Sequence, residues 1–249
     1  IEATAVVDGN PHRMALVRPD FTMPPGGLNI RLQDTPVAQE ARMIDYKRFA
    51  AEAFSRVNRM DRRVWGQPGA KIGLVAAGKN WLDLVHALGL LGIDAAEAGR
   101  LGITTYKVGQ PWPLDMQGFH EWAEGLSLIV VVEEKRKLIE VQVKEAIFDD
   151  RRGRRVYGWH KGDSWEHGRQ VELFPTRYAL DPVMIAEKLG EILIEEGRET
   201  DRIRAGLDRL AEARRADNAQ DLAQRTPWFC SGCPHNSRAC AAPGPARCR

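Results

Sequence analysis

The stretch at residues 70–150 constrains the fold most, because short apolar runs alternate there with segments of helical spacing. "KIGLVAAG" is a first apolar run. "WLDLVHALGLLG" has helical spacing at Leu82, Val85, Leu88 and Gly89, and "TTYKVG" reads as a second strand. "LDMQGFHEWAEG" follows as a helix and "SLIVVVEE" as a third strand of consecutive apolar β-formers. "KLIEVQVKEAIF" reads both ways: Ile139, Val141 and Val143 alternate, whereas Ile139, Val143, Ala146 and Ile147 form a helical stripe. Continued alternation favours the helix. The order predicts an α/β fold, with a parallel sheet covered on both faces and right-handed crossovers.

The flanks differ from this core. "RPDFTMPPGGLNIR" carries Pro19, Pro24, Pro25, Gly26 and Gly27, too many breakers for a regular element. Asp34 and Thr35 then offer cap oxygens before Pro36, and Met43, Tyr46, Ala50, Ala53 and Val57 mark an amphipathic helix of about 20 residues. Asp181 and Pro182 start a helix with apolar Ile185, Leu189, Ile192 and Leu193. Thr200 starts another with Ile203, Leu207, Leu210 and Ala211. The expected organisation is a loop-rich connection and helix at 1–69, an α/β domain at 70–150, a polar loop and helical linker at 151–224, and a further domain starting at 225.

Charge argues against nucleic acid and membrane as partners. The 36 basic and 34 acidic residues are mixed along most of the chain and leave a net charge of +2. Arg151, Arg152, Arg154 and Arg155 form a local basic run that reads as a solvated turn. Without an apolar leader or spanning run, the expected location is the cytoplasm. The abrupt opening, "IEATAVVDGN", reads as a piece of something longer.

Several stretches bear on chemistry. "GLVAAGKN" (residues 73–80) approximates a phosphate loop, but Leu, Val, Ala and Ala between its glycines belong to a buried strand, and Asn80 stands where a magnesium-binding hydroxyl is needed. Strand and tight turn is the better reading. His160, Asp163, Glu166 and His167 could form a mixed metal site, although histidines in a polar loop are mostly unliganded. Glu133 and Glu134 close the third strand, where parallel sheets place functional groups, and read as solvated or salt-bridged carboxylates.

All four cysteines, Cys230, Cys233, Cys240 and Cys248, fall in the last twenty residues, unlike a disulfide framework. Cys230 and Cys233 form a CxxC with Gly232 in its turn, so both sulfurs can converge on one iron or one zinc. A redox dithiol would need a thioredoxin-like unit that the pattern lacks.

Taken with "DFTMPPGGLNIR", "GLVAAGKNWLDL", "YKVGQPWPLD" and "VVVEEKRKLIEVQVKEAIFD", the segment "RTPWFCSGCPHN" resembles the indolepyruvate ferredoxin oxidoreductase family, thiamine-diphosphate-dependent 2-oxoacid enzymes. The resemblance spans residues 18–236. It implies that residues 70–150 are the transketolase C-terminal-like domain, which binds no thiamine itself. It also implies that residues 225–249 are the truncated start of the thiamine-diphosphate-binding domain. Cys230 and Cys233 would then ligate a four-iron four-sulfur cluster, with Gly232, His235 and Asn236 near thiamine diphosphate and magnesium. The implied reaction is oxidative decarboxylation of arylpyruvates to aryl-acetyl-CoA, with coenzyme A and ferredoxin as partners.

The family pattern ends after Asn236. The last thirteen residues use only Ser, Arg, Ala, Cys, Pro and Gly, which suggests a shifted reading frame. The Gly-Asp-Gly motif that holds magnesium and pyrophosphate is missing, and Gly162-Asp163-Ser164 does not replace it. The chain is therefore expected to be an interior fragment, inactive alone and in need of the remaining cofactor domains. The alternatives are a zinc-binding interaction module on an α/β domain and a non-catalytic structural subunit.

Overall fold

The computed structural model describes residues 10, 15–29 and 31–219. The chain divides into two units, Ile1–Leu210 and Ala211–Arg249. Of the second, only residues 211–219 are described.

The first unit opens with the expected shaped loop. Gly26 and Gly27 both have positive φ, and the Gly27 amide donates to the Pro24 carbonyl at 2.9 Å. Helix α1 (Pro36–Arg42) is capped by the Thr35 hydroxyl, which accepts from the Ala38 amide, so Thr35 rather than Asp34 is the cap. A π-helical segment (Met43–Lys47) joins α1 to α2 (Arg48–Val57). That segment rotates the apolar stripe, and Met43 and Val57 are exposed although periodicity predicts them inward.

Next come β1 (Arg62–Arg63), β2 (Ile72–Ala77), α3 (Gly78–Leu90), α4 (Ala95–Arg100) and β3 (Ile103–Val108). They are followed by α5 (Met116–Ala123), β4 (Leu128–Val132), α6 (Leu138–Ala146) and β5 (Arg155–Tyr157). The sheet order is β1-β3-β2-β4-β5, with β1 antiparallel to β3 and every other pair parallel. The α/β expectation holds, and the ambiguous "KLIEVQVKEAIF" stretch is the helix α6.

Both faces of the sheet are covered because its central strands β2 and β4 are apolar at every position. All five residues of β4 are buried. Leu128, Val130 and Val132 join Ile72, Leu74, α3 and α7 (Pro182–Glu195) in one core, while Ile129 and Val131 join α5 and α6 in the other. Burying each such side chain contributes about 2 kcal/mol. Gly73 clears the second face for the Trp122 indole, since a Cβ there would meet that ring at 2.6 Å. In α3 the buried apolar residues are Trp81, Leu84, Ala87 and Leu88, whereas Leu82 is 68% exposed. The stripe is thus offset from the expected one, because the bulky Trp81 turns inward.

The sheet passes the expected limits of residues 70–150 at both edges, through β1 and β5. The expected polar loop beyond residue 150 contains β5 and a hairpin of β6 (His160–Glu166) and β7 (Arg169–Glu172). Its two-residue turn has positive φ at His167 and Gly168. Helix α7 starts at the Asp181 cap and buries Ile185, Leu189, Ile192 and Leu193 as periodicity predicts. It is a layer of the first core rather than a link leading away from it. Helix α8 (Asp201–Ala219) begins at Thr200, whose hydroxyl accepts from the Ile203 amide, and it packs Gly206 against the end of α3.

Candidate functional site

Helices α3 and α6, which follow the adjacent strands β2 and β4, lie on opposite faces of the sheet. In an open α/β sheet this reversal makes a crevice at the carboxyl ends of the strands, the usual place for a ligand. Here the chain fills it. Lys79, from the start of α3, donates to the Leu180 carbonyl at 2.9 Å and to Asp83 at 2.5 Å. Glu134, just past β4, accepts the Leu180 amide at 3.0 Å. One backbone unit is thus held at both its donor and its acceptor, and the Leu180 side chain enters the core.

Glu133 has a different task. Its carboxylate accepts from the amides of Leu138, Ile139 and Glu140 at 2.9–3.2 Å, filling the open N-terminus of α6. Burial nonetheless pushes its carboxyl above the usual range, with the three amides acting in the opposite sense. Both carboxylates are bonded to backbone amides, rather than solvated or salt-bridged as the sequence suggested.

A second acidic group orders the loop after β3. Asp61 accepts from the amides of Gly109 (2.7 Å), Gln110 (2.9 Å) and Asp115 (3.3 Å), and burial raises its pKa. Asp115 caps α5 through the Gly118 amide and takes a forked contact from Arg56, with Nη2 at 2.5 Å and Nε at 3.0 Å. The pair ties α2 to α5.

Five cations face a cleft of 510 Å³ between α6, β5 and the β6–β7 hairpin. Lys137, Lys144, Arg151, Arg155 and Lys161 line it together with His160. Glu140, buried in α6, accepts from Lys144 at 2.6 Å and from the Trp159 amide at 2.9 Å. Gly158 admits that carboxylate, since a Cβ there would meet it at 2.4 Å. Glu196 pairs with Arg155 through both oxygens, and Glu195 with Lys161. The His160 ring stacks on Trp159 at 4.9 Å. Burial first, then the Lys137 ammonium, holds its pKa below the ordinary histidine value.

A family model described as "Indolepyruvate oxidoreductase domain" matches residues 62–217, more than half of the chain. The chain belongs to that family. Its relatives include the "Indolepyruvate oxidoreductase subunit IorA" of Pyrococcus abyssi, 27% identical over 69% of this chain and 22% of the relative. The protein of the same description from Thermococcus kodakarensis is 27% identical over 69% of this chain and 23% of the relative. The chain therefore spans less than a quarter of the length of these curated relatives. Among solved structures, a 2-oxoglutarate:ferredoxin oxidoreductase from Magnetococcus marinus, with 2-oxoglutarate, coenzyme A and succinyl-CoA bound, superposes with a TM-score of 0.37. Its identity is 16%, over 63% of this chain and 23% of that one. A split-gene transketolase, described as an inactive beta4 tetramer, gives a TM-score of 0.36 at 16% identity, over 53% and 41%.

The indolepyruvate oxidoreductase domain, as matched, begins at β1 and ends in α8, so it includes the filled crevice and the basic cleft. Its phosphate-loop-like segment is strand β2 running into α3, as the strand reading predicts, with Leu74, Val75 and Ala76 buried. Among the described residues the mixed metal site is not assembled. His160 and Glu166 occupy opposite ends of β6, Asp163 lies within that strand and His167 sits in the turn. Among the described residues no group of three metal-ligating side chains converges. Arg151–Arg154 closes the expected turn, but Arg154 is buried, donating to the Leu126 carbonyl at 3.2 Å, and Arg155 belongs to β5. Cys230, Gly232, Cys233, His235 and Asn236 lie outside the described residues, as do Cys240 and Cys248.

Glu140, Asp61 and the convergence of the basic residues were not anticipated. One signal was present: Lys137, Glu140 and Lys144 are spaced three and four apart, which places them on one face of a helix. Among the described residues no helix is long and apolar enough to cross a membrane.

Proposed function

We propose that the chain is part of an indolepyruvate-type 2-oxoacid:ferredoxin oxidoreductase, in which arylpyruvates are oxidatively decarboxylated, coenzyme A takes the acyl group and ferredoxin takes the electrons. The observation that carries this reading is the family match across residues 62–217. The relatives described as subunit IorA support it. In this reading the sheet is the transketolase C-terminal-like domain, which binds no thiamine itself. The Lys79 and Glu134 contacts to Leu180 hold the chain just before α7 against the sheet.

Cys230 and Cys233 would supply two ligands of a four-iron four-sulfur cluster, and Gly232, His235 and Asn236 would lie beside thiamine diphosphate and magnesium. When bound, the thiamine supplies an electron sink for the carbanion and the cluster accepts single electrons. The 249 residues by themselves do not catalyse the reaction in this account. The remaining cofactor domains complete the site, in the cytoplasm.

The experiment compares 2-oxoacids. A polypeptide that carries this chain with the remaining domains is assayed for CoA-dependent reduction of ferredoxin. Indolepyruvate and phenylpyruvate are expected to support turnover well above pyruvate and 2-oxoglutarate. Turnover with pyruvate or 2-oxoglutarate alone would overturn the arylpyruvate reading.

A further inference from the structure

No residue of the cleft between α6, β5 and the hairpin has been given a role in the proposed reaction, yet its walls are chemically selective. Its 510 Å³ falls in the range of small-molecule sites. The five cations come from three segments and converge on one space rather than forming a row along the surface. Among the described ion pairs, Lys144, Arg155 and Lys161 are matched by Glu140, Glu196 and Glu195. Neither Lys137 nor Arg151 takes part in one. Among the described lining residues this leaves a surplus of two positive charges, enough for one phosphate dianion. Lys137 is held in place by Trp159, with its ammonium 4.4 Å from the ring centroid.

The rest of the wall is apolar or weakly polar. Ile147, Val156 and Tyr157 line it, Ile147 and Tyr157 being buried. Phe148, just past the end of α6, is 77% exposed at the same cleft. An aromatic side chain left in water beside a cationic pocket suits a ligand with both a flat ring and an anionic group. Ser164 and Gln170 add a hydroxyl and an amide. We propose that this cleft binds a small organic phosphate bearing a planar ring, of the nucleotide class, with Lys137 and Arg151 on the phosphate and Phe148 on the ring.

An acidic protein segment is the competing occupant. Its carboxylates would be spread along an extended chain and would want cations in line, whereas these surround a single cleft.

The test is isothermal titration of the full 249-residue chain at low salt with ADP, pyrophosphate, adenosine and hexaglutamate. ADP is expected to saturate a single site, pyrophosphate to bind more weakly and adenosine not at all. Lys137→Gln and Arg151→Gln should each weaken ADP about tenfold, the scale of one lost charge-assisted hydrogen bond. Neither substitution strands a carboxylate, and circular dichroism checks that each variant is folded. Phe148→Ala, at an exposed position, should weaken ADP while leaving pyrophosphate unchanged. Absence of saturable ADP binding at millimolar concentration would overturn the proposal, as would ADP affinity unaltered by either charge substitution. Saturable hexaglutamate binding without ADP binding would also overturn it, assigning the cleft to an acidic partner.

Discussion

At the scale of single residues, the acidic side chains near the strand ends are bound to backbone amides. Glu133→Ala removes the acceptor at the α6 N-terminus and should cost about 1 kcal/mol in urea unfolding, like the loss of a helix cap. An unchanged midpoint would show that water replaces the carboxylate without loss. Asp61 allows a pH test. Its carboxyl is raised by burial in the folded protein. Its contribution is therefore full below the ordinary Asp pKa, about 3.9, and is lost as pH rises through the raised folded value. Asp61→Asn lacks that contribution, so the stability difference, wild type minus variant, should shrink as pH rises across this window. A difference that stays constant or grows would contradict the assignment. None of these partners was legible in the sequence. Asp61 and Gly109 are far apart along the chain, and nothing in a lone Asp announces which amides it will meet.

At the scale of elements, legibility followed length. The strands β2, β3 and β4 and the helices α3, α5 and α7 each carry enough apolar residues to declare a period. Strands β1 and β5 have two and three residues, too few for any period, and β5 lies in an arginine run that reads as solvated. The β6–β7 hairpin is polar, so its pairing shows in hydrogen bonds and in a positive-φ turn rather than in hydrophobic alternation. The π-helical segment before α2 is likewise invisible to a period-based reading, because it changes the period itself. Close packing of helices gives a test at this scale. Gly206 in α8 lies against α3, and a Cβ there would come within 2.7 Å of the Leu90 carbonyl oxygen. Alanine favours helix over glycine by about 1 kcal/mol. Gly206→Ala should nevertheless destabilise by about 1–3 kcal/mol, because the obstacle is backbone that must shift. Thermal melts that show stabilisation would mean α8 does not sit this close to α3.

At the scale of the whole molecule, a sheet covered on both faces has its usual ligand crevice closed by residue 180. Among the described residues the basic cleft on the β5 side is then the candidate place for a ligand, and the proposed cysteine pair lies outside them. Residue pattern alone shows why a thiolate pair at CxxC spacing suits a metal, while the reaction in which such a pair would serve is part of the proposed function. The cysteine pair is thus readable from sequence as a motif, and the cluster proposed for it comes only from the resemblance. The most direct measurement replaces Cys230 and Cys233 by serine in the polypeptide that carries this chain with its remaining cofactor domains, then follows indolepyruvate-dependent reduction of ferredoxin together with bound iron and acid-labile sulfide. The account predicts that iron, sulfide and electron transfer are all lost, while the α/β domain still unfolds at its original midpoint. Ferredoxin reduction at the unaltered rate, with iron and sulfide retained, would contradict it.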